Sequence, residues 1–462
     1  MSSNEKLIAF QQQYRGKTAS VIGIGISNKP LITFLLDNLL SVVARDKKEK
    51  SAIDGAVALE ENGVKLVCGE KYLNDLHEDI IFRTPGMRPD QPALMDAKEK
   101  GSVITSEIEL LFDLCPCPIF AVTGSDGKTT TTTLVSLFLQ EAGYHVHIGG
   151  NIGTPLLARV PEMKPTDITV LELSSFQLMS LHQSPVRAVI TNLSENHLDW
   201  HTNMDEYLRA KMNILLHQTP QDWLVLNAGN EITNALTASA KGQVLHISSR
   251  GNVENGVCLD GEIIYRVTGG IRTPIMTRSD IRIPGLHNVE NYMAAIALTQ
   301  GLVSDDIIKK VASTFPGVPH RCQFIREKNG VKYYNSSIDS TPVRTKACLH
   351  AFKQKVIVIC GGYDKQLSFE PLGPLFFDHA QGVILCGATT QKIKDAITQY
   401  PGYTPNVYPI YETASLVEAV KTAEGIAGPG DIVVLSPACA SFDVYKNFEE
   451  RGECFVQTVN NL

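Results

Sequence analysis

Residues 118–130 read PIFAVTGSDGKTT. An apolar run leads into a loop of small residues, and a Thr-rich helix start follows, which is the order of a phosphate-binding loop. Backbone amides and the helix N-terminus can hold an anion there, while Lys128 can reach the β- and γ-phosphates and Thr129 can reach Mg²⁺. Val122 stands where the longer pattern has a glycine, so ordinary GTPases and kinases fit less well. The alternative is a glycine-rich turn that caps a helix.

Polar residues end two further apolar stretches downstream of this loop. The stretch ITVL ends at Glu172, and a carboxylate in that place beside a phosphate loop is where Mg²⁺ is usually held. The strand AVI precedes TNLSENHLD at 191–199, which places His197 at the same carboxyl edge. Each residue alone is more often a satisfied polar group, but their convergence favours metal binding. Lys211 lies in the helical stretch DEYLRAKMNI, whose spacing alone predicts a solvated surface lysine.

The N-terminal part predicts a second nucleotide-type site. The pattern from Ala19 to Asp46 predicts a strand, an amphipathic helix and a strand, the opening unit of a parallel sheet. Gly23 and Gly25 follow the first strand and Asp46 ends the second, as in a dinucleotide-binding fold. Asn28 replaces the third glycine, so this loop is weak evidence for NAD and fits another nucleotide phosphate better.

The chain length and the breaks in its sequence pattern predict three α/β domains. The 462 residues correspond to about three domains at roughly 150 residues each. Breaks near residue 106 and at TFPGVPHRCQ place the boundaries, giving domains at 1–106, 107–316 and 317–462. We expect a Rossmann-like N-terminal domain, a central parallel sheet of the P-loop ATPase type and a C-terminal Rossmann-like domain.

Composition narrows the class of partner. The net charge of -7 and the lack of a basic run argue against nucleic acid. The polar N-terminus lacks a signal-peptide core, and no apolar stretch approaches the ~18 residues of a membrane span. We therefore expect a cytoplasmic protein without membrane partners. The ten cysteines form no CxxC pair, and no histidine spacing suggests zinc. The cysteines are predicted to be reduced thiols.

Beyond these features, the chain resembles the ATP-dependent Mur ligases of peptidoglycan synthesis. The resemblance covers nearly the whole chain and rests on motifs in the family's order: GSDGKTTT, GGNIGTPL, TNLSENHLDWH, YLRAKMNI, GLHNVENYMAAIA and PHRCQ. Within the family, LELSSFQL and LSPACASFDVYKNFEERGECF resemble the member that adds D-glutamate to UDP-N-acetylmuramoyl-L-alanine, and the DNPR motif of the diaminopimelate-adding member is not found. The implied partners are these two substrates, ATP and Mg²⁺, with the enzyme acting as a monomer.

The resemblance also implies roles for individual residues. Lys128, Glu172, His197 and Lys211 would be catalytic, with Lys211 carbamylated, and Thr129, Glu172, His197 and Lys211 would hold Mg²⁺. The nucleotide would contact Gly124, Ser125, Asp126, Gly127, Lys128, Thr129, Thr130, Asn288, Asn291, Arg321 and Asp339. The UDP-linked substrate would face Ser27, Asn28, Asp46, Gly86 and Asn151, and D-glutamate would meet Ser340, Lys365, Ser441 and Phe448.

One segment departs from the family pattern. Many members read NDSKATN where this chain has NSSIDST at 335–341, so Ser336 and Ile338 replace the expected Asp and Lys. The Asp to which the family's ribose contact is credited is therefore absent here, and Asp339 is the candidate replacement.

Four alternative interpretations of the function remain open at this point. A ligase of the same family could use another amino acid, and a folate polyglutamate ligase shares the ATP loop but not the N-terminal domain. A P-loop switch protein or a non-catalytic nucleotide sensor would keep the phosphate loop but has no need of His197, Lys211 and the third-domain pocket together. A dehydrogenase built on Gly23 and Gly25 leaves most of the chain unexplained.

Overall fold

The computed structural model describes residues 4–25, 28–38, 40–195, 200–404 and 408–462. Two predicted site residues, Ser27 and His197, lie outside these ranges. The chain divides into two compact units, the first holding residues 1–278 and 290–311 and the second residues 279–289 and 312–462.

The N-terminal part of the first unit is a five-stranded parallel sheet in the order β3-β2-β1-β4-β5. Its strands are β1 (Thr18–Ile22), β2 (Ser41–Asp46), β3 (Lys65–Cys68), β4 (Ile80–Phe82) and β5 (Val103–Thr105). Its helices are α1 (Glu5–Tyr14), α2 (Asn28–Asp37), α3 (Ala56–Glu61), α4 (Pro92–Glu99) and α5 (Glu107–Leu114). Strand β1 is almost fully buried, as expected for a strand covered on both faces.

The rest of the first unit is built on a nine-stranded sheet in the order β14-β13-β12-β11-β10-β9-β6-β8-β7. Its strands are β6 (Ile119–Thr123), β7 (Val146–Gly150), β8 (Ile168–Glu172), β9 (Arg187–Ile190), β10 (Trp223–Asn227), β11 (Gln243–Ser248), β12 (Gly256–Asp260), β13 (Ile263–Thr268) and β14 (Ile271–Thr277). The helices here are α6 (Lys128–Glu141), α7 (Ser175–Leu178), α8 (Met204–Leu216) and α9 (Glu231–Ala235). Helix α10 (Leu286–Leu298) begins in the second unit and continues in the first, and helix α11 (Asp305–Thr314) begins in the first and ends in the second.

Strand order in this sheet decides which loops meet. Strand β6 lies between β9 and β8, and all three run parallel. Because neighbouring parallel strands end at the same edge of a sheet, the segments after β6, β8 and β9 lie together. Ligands of such sheets bind at this edge, at the carboxyl ends of the strands.

The second unit contains a six-stranded sheet in the order β15-β16-β20-β17-β18-β19. Its strands are β15 (Gln323–Lys328), β16 (Val331–Asn335), β17 (Val356–Cys360), β18 (Ala380–Leu385), β19 (Ile410–Glu412) and β20 (Ile432–Leu435). Its helices are α12 (Pro342–Leu349), α13 (Leu372–His379), α14 (Thr390–Thr398), α15 (Leu416–Ile426) and α16 (Phe448–Asn460).

The predicted α/β class with mostly parallel sheets is confirmed. Two antiparallel additions were not predicted: β13 and β14 extend the central sheet beyond β12, and β15 pairs antiparallel with β16. The domain boundaries at 106 and 316 stay predictions. Across the described ranges, all ten cysteines are unbridged thiols, and the helices are too short or too polar to cross a membrane.

Candidate active site

Two glycines of the loop between β6 and α6 are required by its backbone. Gly124 has φ +149° and Gly127 has φ +79°, which are backbone conformations that residues with a Cβ atom rarely adopt. A Cβ atom on Gly124 would overlap the Thr191 hydroxyl, and one on Gly127 would overlap the Asn291 amide oxygen. Glycine is therefore the residue that lets the loop close this tightly against its neighbours.

The segment that follows β9 braces this loop. The Asp126 backbone N–H donates to Asn192 Oδ1 at 2.9 Å, and the Thr191 hydroxyl donates to the Asp126 carbonyl at 2.6 Å. The Ser125 backbone N–H donates to the Asn192 carbonyl at 2.8 Å, and the Ser125 and Tyr207 hydroxyls lie 2.9 Å apart. The loop is thus held in one shape by neighbours from β9 and α8.

Lys128 begins α6, and its ammonium folds back over the loop. Its Nζ donates to the carbonyls of Gly124 and Ser125, both at 3.0 Å. Lys128 and Thr129 are half-buried and Thr130 is buried. A cation and a hydroxyl therefore stand at the loop, where the sequence predicted them.

Glu172 ends β8 beside the loop and is 2% exposed. Its Oε1 accepts a 2.8 Å hydrogen bond from Asn151 Nδ2, while its Oε2 is buried with no hydrogen-bond partner among the described residues. A buried carboxylate oxygen without a donor is costly unless a cation meets it. Oxygen donors are the ligands Mg²⁺ prefers, so Glu172 fits the predicted metal role.

Lys211 is buried at the same edge, with 2% exposure. Its Nζ donates to Thr123 Oγ1 at 3.0 Å and to the Gly124 carbonyl at 2.9 Å. Burial, and then the charge of Lys128, hold the pKa of Lys211 well below its usual range. The surface position expected from spacing alone is wrong, because Lys211 lies on the buried face of α8 with Tyr207 and Ile214.

In the N-terminal sheet, Asp46 and Asn28 shape the loop after β1. Asp46 Oδ2 accepts from the Ile24 backbone N–H at 2.7 Å, and Oδ1 accepts from the Lys48 N–H at 2.9 Å. Asn28 Nδ2 donates to the Gly23 carbonyl at 2.8 Å. Both predicted substrate residues therefore stand at one loop, the place where a Rossmann-like sheet binds its ligand.

The predicted substrate residue Gly86 belongs to a network that the sequence did not indicate. Its carbonyl accepts a 2.9 Å hydrogen bond from Trp200 Nε1. Arg88 donates to both carboxylate oxygens of Glu206, at 2.8 and 3.1 Å, and to the Trp200 carbonyl at 3.1 Å. Its guanidinium lies 5.2 Å from the Trp200 ring centroid. These residues, here called the Arg88 clamp, fix the loop after β4 to the start of α8.

Replacing Arg88 with methionine is expected to lower the free energy of unfolding by about 2 kcal/mol, since it removes charge-assisted hydrogen bonds. Hydrogen bonds from Arg88 hold the pKa of Glu206 at about 2, below the ~4.3 of unfolded chains. The carboxylate therefore stabilises the fold above about pH 4.3, and this contribution is lost as the pH falls towards 2. In urea unfolding, the gap between wild type and variant should narrow from about pH 5 to about pH 3.

Asp90→Asn is the matched control, because Asp90 is the more exposed partner of the same arginine. It should cost less than about 1 kcal/mol, as exposed ion pairs do. Equal losses in the two variants would contradict the clamp.

The predicted nucleotide residues are divided between the two units. In the first, Asn291 is buried and its Oδ1 accepts from Thr131 Oγ1 at 3.3 Å. In the second, Asn288 is buried and donates to the Pro284 carbonyl at 2.5 Å, while Arg321 is exposed.

Asp339, the candidate replacement for the ribose ligand, points inward. It is 6% exposed, and its Oδ2 accepts from Ser436 Oγ at 2.8 Å. Burial raises the pKa of Asp339 to about 6, against the lowering effect of hydrogen bonds from Ser336 and Ser436. These contacts explain Asp339 within the second unit, and its ribose role stays a prediction.

The predicted D-glutamate residues occupy separate segments of the second unit. Lys365 is exposed in the segment after β17, and Ser441 is buried in the segment after β20. Ser340 is half-buried ahead of α12, and Phe448 begins α16. A bridge between Tyr363 and Ala440, which pairs the segments after β17 and β20, brings the Lys365 and Ser441 segments together.

A buried arginine joins these segments. Arg451 is 4% exposed and donates through Nε to Ser337 Oγ at 3.0 Å and through Nη1 to the Ala440 carbonyl at 2.9 Å. The Ser337 hydroxyl in turn donates to the Phe448 carbonyl at 2.8 Å. Sequence reasoning missed Arg451 because its partner Ser337 is 114 positions away. Thr191 and Asn192 could have been found, since they directly follow a strand predicted to end at the phosphate edge.

Taken together, a phosphate-type loop, a strand-end carboxylate and a buried lysine at one sheet edge define a nucleoside-triphosphate-dependent enzyme. The sequence profile of the Mur ligase middle domain matches residues 122–299, and that of the Mur ligase glutamate ligase domain matches residues 320–439. The chain belongs to the Mur ligase family, and the predicted resemblance is confirmed.

Full-length relatives indicate which member of the Mur ligase family this chain resembles. The chain is 48% identical to the UDP-N-acetylmuramoylalanine–D-glutamate ligase of Acetivibrio thermocellus over 99% of both chains. It is 49% identical to the enzyme of the same name from Clostridium novyi over 98% of both chains.

Two solved structures share the fold. UDP-N-acetylmuramate-alanine ligase from Thermotoga maritima matches with a TM-score of 0.59 and 18% identity, covering 96% of this chain and 99% of that one. UDP-N-acetylmuramoyl-L-alanyl-D-glutamate–2,6-diaminopimelate ligase matches with a TM-score of 0.59 and 18% identity, covering 98% of this chain and 93% of that one.

Proposed function

We propose that this chain is an ATP-dependent ligase that adds D-glutamate to UDP-N-acetylmuramoyl-L-alanine in peptidoglycan precursor synthesis. Full-length identity of 48–49% to ligases of that name supports the substrate pair. The observation that carries the chemistry is the buried Lys211 amine bonded to the phosphate loop at Gly124. A simple nucleotide switch needs no buried lysine beside Lys128, whereas a ligase has a use for a buried amine that carbamylation turns into a carboxylate ligand for Mg²⁺.

The reaction must first activate a carboxylate. Amide formation from a carboxylate is uphill in water, so the alanyl carboxylate takes the γ-phosphoryl group of ATP and becomes an acyl phosphate. The loop amides and Lys128 hold the transferring phosphate and offset the repulsion between anions, and one such preorganised contact is worth about 10²- to 10³-fold in rate. The amine of D-glutamate then attacks the acyl carbon, loses a proton, and phosphate leaves.

Mg²⁺, when bound, supplies positive charge to the phosphate oxygens. Glu172, Thr129 and a carbamylated Lys211 would hold it, together with His197, which lies outside the described residues. Asn151 keeps the Glu172 carboxylate in place through Oε1 and leaves Oε2 for the cation.

The substrates also indicate where the enzyme acts. ATP and UDP-linked sugars are cytoplasmic metabolites, so we expect a cytoplasmic enzyme. We further expect it to act as a monomer, which light scattering of the purified protein would test.

An ADP-release assay with UDP-N-acetylmuramoyl-L-alanine and a panel of amino acids tests the function. Turnover is expected with D-glutamate and not with L-glutamate, L-lysine, glycine or diaminopimelate. Turnover with another member of the panel would assign the chain to a different ligase of the family, and ATP hydrolysis independent of any amino acid would favour a nucleotide switch.

Lys365→Ala is expected to raise the KM for D-glutamate about tenfold to a hundredfold, since it removes a charge-assisted contact to that substrate. The KM for ATP should stay unchanged. Lys421→Ala, an exposed lysine of α15, is the control and should alter neither constant. Equal rises in both constants would place Lys365 outside the D-glutamate site.

A further inference from the structure

Two histidines and an aspartate converge at the amino ends of β7 and β8, the ends opposite to the phosphate loop. His145 directly precedes β7, His147 lies in it, and Asp167 directly precedes β8. The parallel register pairs His147 with Thr169, two residues on from His145 and Asp167 respectively. Because residues i and i+2 of a strand share a face, all three side chains lie on one side of the sheet.

The distances between these groups suit a shared ion. Asp167 Oδ2 lies 2.9 Å from His147 Nε2 and 3.2 Å from His145 Nδ1, and the three candidate ligand atoms all lie within 4.8 Å of one another. Bonds of ~2.0–2.2 Å to a tetrahedral zinc ion place its ligands roughly 3.3 Å apart. The two imidazole rings stand at 86° to each other, so both can aim a nitrogen at one point.

The cluster combines fixed ligands with an open side. His147 and Asp167 are 1% and 4% exposed, and the Lys164 backbone N–H anchors Asp167 Oδ2 at 3.0 Å. The His145 side chain is 66% exposed, so water can supply a fourth ligand. His147 Nδ1 is buried and has no hydrogen-bond partner within the described part of the chain. The ring nitrogen that faces the cluster is Nε2, which lies 2.9 Å from Asp167 Oδ2 and is the candidate ligand atom of His147.

We propose that His145, His147 and Asp167 bind a zinc-class transition-metal ion that ties β7 to the segment before β8. Two imidazoles with one carboxylate favour Zn²⁺, Co²⁺ or Ni²⁺ over Mg²⁺, which prefers oxygen ligands. Three protein ligands and a water complete a common four-coordinate zinc arrangement. The site stands apart from the phosphate edge, so it does not depend on the proposed function.

Calorimetric titration of the full-length protein with Zn²⁺, in excess Mg²⁺ and without ATP, tests the proposal. The wild type should bind zinc at this site, and both His145→Ala and Asp167→Asn should weaken that binding at least tenfold, since even outer-shell changes cost 10- to 100-fold. His217→Ala removes an exposed histidine elsewhere in the same unit and is the matched control. It should leave zinc binding unchanged.

Two further readouts separate the cluster from the cysteines. Zn²⁺ should raise the melting temperature of the wild type, because a ligand that binds the native state stabilises it, and should raise that of His145→Ala less. Co²⁺ should give the visible absorption of a four-coordinate site without a thiolate charge-transfer band. Equal zinc affinity in wild type and His145→Ala would overturn the proposal, as would the absence of zinc binding by the wild type.

Discussion

Lys128→Ala is expected to reduce ATP turnover at least a hundredfold to a thousandfold, the scale of one lost electrostatic contact to a transferring phosphoryl group. The described contacts of its ammonium go to the carbonyls of Gly124 and Ser125 in its own loop. When ATP phosphates enter, these carbonyls are the weaker partners, because a phosphate oxygen carries a full charge. The residue is therefore expected to act on catalysis far more than on folding.

The test combines ADP release with thermal unfolding followed by circular dichroism. Lys128→Ala should lose turnover and no more than about 1–2 kcal/mol of unfolding free energy, the value of its loop hydrogen bonds. Lys309→Ala, an exposed lysine of α11, should keep both. If turnover survives while thermal stability collapses, the loop is a structural turn, which is the alternative that the sequence left open.

Local patterns sufficed where neighbours in sequence decide the structure. Strand β6, its loop and helix α6 follow from an apolar run, two required glycines and a helix start within a dozen residues. The antiparallel extension by β13 and β14 could not be predicted in the same way, since these short strands carry no distinct alternating pattern. The Arg88 clamp joins residues 112 to 118 positions apart, and no sequence window contains both sides of it.

The sequence pattern of α8 indicated that Lys211 is buried, but the usual exposure of lysines outweighed this pattern in the prediction. Tyr207, Lys211 and Ile214 are spaced i, i+4 and i+7, so they share one face of α8. Two of these positions are apolar in character, which marks the face as the buried one. A lysine on that stripe is costly unless it has partners. The prediction of a surface position followed the usual exposure of lysines, although the pattern of α8 places Lys211 on the buried face.

Lys211 carries the second large prediction, which rests on the proposed carbamylation. The reaction R–NH₂ + CO₂ → R–NH–COO⁻ + H⁺ needs a neutral amine, and burial beside Lys128 lowers the pKa of Lys211 in that direction. The product is an anion near Lys128 and the metal position proposed at Glu172, where positive charge would stabilise it. A plain ammonium would instead repel Mg²⁺.

Lys211→Ala is therefore expected to lower turnover at least a thousandfold, because it would remove the proposed carbamate, whose carboxylate would orient the metal. Formate or acetate in solution should recover part of the activity by filling the vacated position. Lys211→Arg keeps a positive charge but cannot form the carbamate, so it should be as inactive as the alanine variant. Recovery by methylamine instead of acetate would mean that Lys211 acts as an ammonium.

The modification itself should be reversible, which separates it from a packing role. Depleting CO₂ should lower wild-type turnover and bicarbonate should restore it, while the residual activity of Lys211→Ala should respond to neither. Carbon-13 bicarbonate should give a carbamate NMR signal in the wild type that Lys211→Arg lacks. Packing and hydrogen bonds to Thr123 and Gly124 do not depend on CO₂. Turnover that does not depend on the CO₂ concentration, or full activity in the alanine variant, would contradict carbamylation. Lys211 would then be a structural lysine that stabilises the loop.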